Sequence, residues 1–343
     1  MLAVAAAASE TSATMAARDE YNGCRWPRDG GGHYESWFCR ANSADGDQAF
    51  WIRYTIFEPA GAPEQAVGER WAIYFDRPRR RIIAVKDVTA IAQCRFAARG
   101  LDVAIGDATL DDGALRGEAA TEAHRIGWDL TYGGGAEPLL LLPARLYETK
   151  LPKAKALVGR PLATFSGTLR VDDETIEVTD WVGSHNHNWG RKHTDHYAWG
   201  QVAGFDEAPE AFLECSTARL KLGPIWTPFM SPFVLRLPGR TLALNALGRA
   251  VRARGRFRPF QWTIETGDRD CEVSMRMSAP ASEFVALRYG NPPGGIKTCL
   301  NSKVARCEVT VKVSGEPTRT LTSSRAAFEI LTDADDHGLT HAV

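Results

Sequence analysis

Charge of one sign, long apolar runs and paired cysteines are all missing from this chain of 343 residues. Lys and Arg number 41 against 42 Asp and Glu, a net charge of −1. That balance gives no general attraction to nucleic acid or to an anionic membrane surface. The apolar stretch Leu139 to Leu142 is far short of the roughly 18 residues that mark a membrane span, so no stable membrane insertion is expected. Cys24, Cys39, Cys94, Cys215, Cys271, Cys299 and Cys307 contain no CxxC pair. They read as reduced core residues of a cytoplasmic protein, with Cys299 and Cys307 spaced to face each other across a hairpin. No GxGxxG, Walker loop or GxSxG elbow occurs, so any chemistry is expected to need no cofactor.

A sustained helical period is absent too, apart from weak stretches near 88–98 and 246–254. What is present is a succession of short β-branched and aromatic runs. Phe50 to Phe57 is the clearest, preceded by the turn residues Ala44-Asp45-Gly46-Asp47, and similar runs recur to 327–331. Arg79-Arg80-Arg81 falls between two of them and reads as a solvated hairpin turn. Many short strands at hairpin spacing predict sandwiches or barrels. Residues 1–20, rich in Ala, Ser and Thr, read as a disordered leader, within which Met15 is an alternative start.

An internal repeat divides the remainder. At a constant offset of 162, Trp37 matches Trp199, Phe50 matches Phe212 and Trp71 matches Phe233. A connector poor in strand signals runs from Pro138 to Pro161. Two units of this size suit two eight- to ten-stranded barrels. The expected division is a barrel over 21–192 and a second over 193–335.

The chemistry-bearing stretch is Trp181 to Trp199. Four of the eight histidines (His185, His187, His193 and His196) fall here among Asn186, Asn188, Trp189, Asp195 and Tyr197. Polar rings beside large apolar ones require hydrogen-bond partners or a ligand, so this stretch is the candidate pocket wall. In an extended strand His185 and His187 share one face, while Asn186, Asn188 and Gly190 share the other. From 195 onward Asp195, Tyr197, Trp199 and Gln201 alternate against His196, Ala198, Gly200 and Val202.

Several roles stay open for these residues. His185 and His187 suit a metal pair with His193 or His196 as a third ligand. They equally suit core histidines that brace the fold, or acid–base groups of an organic-ligand pocket. Glu35 suits an arginine partner or the pocket, and Trp37, Trp189 and Trp199 suit a core or a stacking surface.

These motifs resemble the tandem-lipocalin superfamily of carotenoid 1,2-hydratases and fungal lipocalin-like Diels–Alderases. The resemblance rests on Tyr34-Glu35-Ser36-Trp37 with the turn Ser43 to Gly46, on Leu151-Pro152-Lys153 with Gly167, and above all on Ser184-His185-Asn186-His187-Asn188-Trp189-Gly190 followed by Trp199-Gly200. The hydratase pattern at the third motif is similar, Tyr-His-Asp-His-Asn-Trp-Gly, but carries aspartate where this chain has Asn186. An amide cannot protonate an alkene, so an acid must come from elsewhere: Glu35, Asp195 or an imidazolium.

The resemblance implies an all-β fold of two lipocalin-like antiparallel barrels in tandem, and a lyase (hydratase) or isomerase/cyclase. The substrate would be an apolar isoprenoid or polyketide-like molecule, held where the barrels meet. Expected catalytic residues are His185, His187, Asn186, Glu35 and Asp195; expected substrate contacts are Asn188, Trp189, Trp37, Tyr34, Tyr197 and Trp199. No metal or other cofactor is expected. Two readings of other kinds remain beside this one: a non-catalytic carrier of lipids or terpenoids, and a metal-dependent lyase or oxygenase using the histidines.

Overall fold

The computed structural model describes residues 18–334 and 336–343, and its regular structure is almost entirely antiparallel strand. β1 (His33–Asn42), β2 (Gln48–Glu58), β3 (Val67–Asp76) and β4 (Arg81–Ala90) form one meander. A second follows through β5 (Cys94–Phe96), β6 (Asp102–Ile105), β7 (Ala108–Asp111), β8 (Ala114–Ala120), β9 (Arg125–Gly134), β11 (Ala154–Val171) and β12 (Glu174–Gly190). A two-residue strand β10 (Leu139–Leu140) pairs with β11. Because β12 returns to the side of β1, the sheet curls into a nearly closed barrel with β4 and β5 at its ends.

The second sheet repeats this plan. β13 (His196–Ala203), β14 (Phe212–Arg219), β17 (Phe233–Leu237) and β18 (Arg240–Leu244) run in order, with a small ribbon of β15 (Lys221–Leu222) and β16 (Ile225–Trp226) between β14 and β17. The return passes through β19 (Arg254–Arg258), β20 (Gln261–Gly267), β21 (Cys271–Ser278), β23 (Ile296–Val313) and β24 (Arg319–Thr332), which pairs with β13 as β12 pairs with β1. β22 (Val285–Gly290) lies against β23.

The three matched aromatic pairs therefore fall on equivalent strands, β1 with β13, β2 with β14 and β3 with β17. Their faces are opposite, however. Trp37 and Phe50 point into the first barrel while Trp199 and Phe212 lie outside the core of the second; Trp71 is outside and Phe233 inside. Because side chains alternate along a strand, one residue of slip exchanges the faces. An offset longer by one residue pairs Tyr34 with Tyr197 and Arg53 with Ser216, and all four border the same cavity.

The buried apolar side chains include a core in each barrel and a layer between the sheets. Phe50, Ile52, Tyr54 and Ile56 of β2 fill the first barrel, and Val309, Val311 and Phe328 belong to the core of the second. Phe38, Trp51 and Trp71 on the outer face of the first sheet pack against Leu287, Tyr289 and Leu331 of the second. β1 is thus buried along its whole length, on both faces. Gly183 lets β12 approach β1, since a Cβ there would lie 1.8 Å from the Arg40 carbonyl oxygen.

Several expectations need correction. The leader expected over 1–20 lies outside the described residues as far as residue 17, as does Met15. Residues 18–20 begin a helical turn over 18–22 in which Arg18 is buried. The weakly helical 88–98 holds the end of β4, a 3-10 turn and β5; the stretch near 246–254 does contain a helix, Leu247–Arg252. Cys299 and Cys307 do not face each other across a hairpin: both lie on β23, in different cores, and all seven cysteines are free. Among the described residues no helix is long and apolar enough to cross a membrane.

Candidate active site at the seam of the two sheets

A cavity of about 390 Å³ lies between the sheets. Tyr34, Phe38, Trp51 and Arg53 wall it from β1 and β2, and Asn186 and Asn188 from β12. Tyr197, Trp199, Glu214, Tyr289 and Glu329 face them from the second sheet, and Leu141, Leu142 and Leu146 from the connector between β10 and β11. The wall is predominantly apolar with a few convergent polar groups, as small-molecule sites are.

Those polar groups form one network. The Gln201 Nε2 donates to Asn186 Oδ1 at 2.8 Å and to Glu214 Oε2 at 2.9 Å. Its Oε1 accepts from Arg40 Nε at 2.8 Å and from Ser184 Oγ at 2.6 Å. Asn186 Nδ2 in turn donates to Ser184 Oγ at 2.9 Å, so this amide is engaged at both ends. The Trp199 indole donates to Glu214 Oε1 at 2.7 Å. Asn188 Oδ1 is buried and has no hydrogen-bond partner among the described residues.

Glu214 is the acid that the sequence reading did not find. Burial pushes its carboxyl up to about 7, an effect only partly offset by the donors Trp199 and Gln201 and the Arg40 charge. Both oxygens accept N–H groups, and the carboxyl lies in the cavity wall. A carboxyl that titrates near neutrality can give and retake a proton at physiological pH. Glu329 lies in the same wall with the opposite setting. Its Oε1 takes Lys303 Nζ at 2.8 Å and Asn301 Nδ2 at 3.0 Å, while Oε2 meets only the Cys299 thiol at 3.7 Å.

The histidine strand alternates as its sequence requires, and the histidine side faces the first barrel. Glu35 is fully buried there, accepting the Arg25 backbone N–H on both oxygens (2.8 and 2.9 Å), His187 Nε2 at 2.8 Å and His33 Nε2 at 2.9 Å. Burial raises its carboxyl, but the bonds from His187 and His33 outweigh this and hold it below the ordinary value. His187 Nδ1 faces the Tyr21 carbonyl at 2.7 Å. The His187 ring is thus held between the Glu35 carboxyl and the Tyr21 carbonyl, with both nitrogens engaged. Its ring stacks on Trp37 at 4.9 Å. His187 borders the cavity, but its nitrogens are already engaged. His185 is fully buried, and neither nitrogen has a partner among the described residues. Burial, helped by the charges of His187, Arg160 and Arg18, drives it well below the usual imidazole range, so it is neutral.

The other expected site residues are dispersed. Tyr34, Tyr197 and Trp199 wall the cavity; Tyr34 stacks on His193 at 3.9 Å. Trp37 belongs to the first barrel's core, its indole donating to the Asn22 carbonyl. Trp189 sits between His187 and Tyr147, away from the cavity wall. Asp195 is also outside that wall, tied to Lys192 at 2.5 Å and to the Lys221 backbone N–H at 2.9 Å. His196 packs on Phe257. The four histidines thus occupy four different settings, and among the described residues no three His, Cys, Asp or Glu gather to hold a metal ion.

Glu214 and Arg53 carry no motif. Their available signal was a charged residue at the centre of an apolar strand run, Phe212 to Cys215 and Phe50 to Phe57, where only a satisfied or functional charge is tolerated.

Comparison with solved structures gives the same architecture. Kievitone hydratase from Nectria haematococca superposes with a TM-score of 0.55 at 12% identity, covering 96% of this chain and 94% of that one. At that identity the likeness is one of fold. An AttH protein from Nitrosomonas europaea (TM-score 0.53, 13% identity, 90% and 97% covered) and CghA (0.52, 13%, 89% and 89%) share it. No protein-family model matches the chain. Two uncharacterized proteins of Mycobacterium tuberculosis, MT0513 of strain CDC 1551 / Oshkosh and Rv0493c of strain H37Rv, are each 25% identical over 303 residues, or 85% of this chain and 84% of theirs.

Proposed function

We propose that this chain is an acid–base enzyme that hydrates, cyclises or isomerises an apolar isoprenoid or polyketide-like molecule in the cavity between its two sheets. The observation that carries the reading is the Glu214 carboxyl, at about 7, facing an apolar cavity with both oxygens held by N–H donors. A passive carrier needs an apolar cavity but not a positioned acid within it. The name of kievitone hydratase, which shares the fold, supports the same class of activity.

Protonated Glu214 gives its proton to a substrate double bond or carbonyl oxygen. Trp199 and Gln201 N–H groups are already in place to stabilise the carboxylate left behind. The Trp51 and Trp199 faces favour the cationic carbon so formed. In hydration, water adds to that carbon and its proton returns to Glu214; in isomerisation, a neighbouring C–H gives up the proton. Asn188 Oδ1, without a partner among the described residues, accepts from the water or from a substrate hydroxyl. Asn186 positions Gln201, and His187 with Glu35 holds β12 in place, so these residues act on the reaction through others.

Incubation with a panel of polyenes and prenylated phenols, followed by mass spectrometry, tests this. Wild type is expected to add one water or to convert a substrate at unchanged mass, and Glu214→Gln to do so at least about 10²-fold more slowly. Conversion untouched by that substitution would remove Glu214 from the mechanism. Saturable binding with no conversion across the panel would favour the carrier.

A further inference from the structure

Arg53 presents an anomaly that the acid–base reading does not use. It is 5% exposed and borders the cavity from the middle of β2. Its Nε donates to Ser36 Oγ at 2.9 Å, and its guanidinium lies over the Tyr289 ring at 4.6 Å and near Trp51 at 5.7 Å. Its two Nη groups have no hydrogen-bond or ion-pair partner among the described residues. The carboxylates whose fields reach it are Glu69 and Glu329. Each is already bonded to its own lysine, Lys86 and Lys303, at 2.8 Å. His193, packed nearby, is neutral because burial and the Arg53 charge drive it down to about 3. A buried guanidinium with no carboxylate of its own is costly, and its planar pair of N–H groups matches a carboxylate in bidentate geometry.

We infer that the cavity takes an apolar molecule bearing a carboxylate or equally acidic oxyanion, which Arg53 receives through its Nη groups. This rests on reading the cavity as the substrate site. The acidic end then lies against the first sheet, and the apolar body crosses Trp51 and Trp199 toward Glu214 on the facing sheet. Substrate polarity is thereby set by one barrel and proton transfer by the other.

The test is binding rather than turnover. Dodecanoic acid and dodecanol, matched in length, are titrated into the full chain at pH 7.5, with tryptophan fluorescence as the readout. The acid is expected to bind roughly 10- to 100-fold more tightly, the scale of charge-assisted hydrogen bonds. Arg53→Gln should remove that preference by weakening acid binding far more than dodecanol binding, and the retained dodecanol binding reports an intact cavity; Arg53→Lys should keep part of the preference. Equal binding of acid and alcohol by wild type overturns the inference without recourse to any variant, as does a preference that survives Arg53→Gln. Displacement of the acid by equimolar inorganic phosphate would reveal a bare anion site and equally overturn it. An acid preference in a protein that converts no substrate leaves Arg53's role standing and removes the enzyme reading. Turnover of neutral substrates without acid preference does the reverse.

Discussion

The Trp199 indole N–H meets Glu214 Oε1 at 2.7 Å, across neighbouring strands of the second sheet. Trp199 therefore serves twice: its ring face walls the cavity and its N–H steadies the one carboxyl there that titrates near neutrality. That bond favours the ionised form, while burial favours the protonated one, and the balance leaves Glu214 able to act in either direction.

If Glu214 donates the proton, turnover should fall as pH rises through about 7. Glu214→Gln should lower kcat by about 10²- to 10⁴-fold and leave a flat profile. A wild-type profile without an inflection in that region would refute the assignment.

Stability should follow the same group with a definite sign. The Glu214 carboxyl is raised from 4.5 to about 7 on folding, so its protonated form stabilises the fold fully below pH 4.5. That contribution, on the order of 3 kcal/mol, is lost as pH climbs to about 7. Denaturant melts of wild type and Glu214→Gln from pH 4.5 to 8 should diverge accordingly, the variant lacking this decline.

His185 should act oppositely. Its folded-state value is well below 6.5, so neutral His185 contributes fully above pH 6.5 and the contribution is lost as pH falls below it. His185→Leu removes two unbonded buried nitrogens and should raise the melting temperature most at acidic pH. A variant as acid-sensitive as wild type would show that the ring is not the cause.

Glu35 is held by two histidines and a backbone N–H at full burial. Glu35→Ala leaves the buried His187 and His33 rings and the Arg25 N–H without their shared acceptor and should cost about 1–3 kcal/mol of unfolding free energy for each group left unpaired. Loss of turnover at unchanged stability would instead place this pair in the chemistry.

Gly183→Ala should prevent folding into soluble protein, because the added carbon meets the Arg40 carbonyl oxygen at 1.8 Å and the Ala41 Cα at 2.6 Å. These are backbone atoms of a paired strand and have no room to yield. Expression with a normal melt would show that β1 and β12 can separate.

Local chemistry made much of this protein legible in one dimension. Alternation along 183–190 separates His185 and His187 from Asn186 and Asn188; the structure engages His187 with Glu35 on the barrel side, though its ring still borders the cavity, and turns the two amides to the cavity wall. The same alternation from 195 onward sends Tyr197 and Trp199 to the cavity and Ala198 and Val202 to the second core. The all-β fold and the order of its repeat followed from strand-length runs and turn residues, because hydrogen-bonded pleats impose a period of two wherever one face is buried. Which face is inside was a different matter. It depends on register against partners far away in the chain, and the offset of 162 reversed every matched pair.

The acid was invisible for the same reason. Glu214 and Arg53 are separated by 161 residues, and neither has a neighbour in sequence that marks it. Glu214 titrates near neutrality because burial against an apolar wall raises it more than Trp199 and Gln201 lower it, and the Arg53 Nη groups lack a carboxylate partner among the described residues because Lys86 and Lys303 claim the nearby ones. The sequence by itself determined strands, their alternation and a polar strand worth attention. Only packing two sheets face to face decided which charges are stripped of water, and desolvation is what turns an ordinary carboxyl and guanidinium into a site.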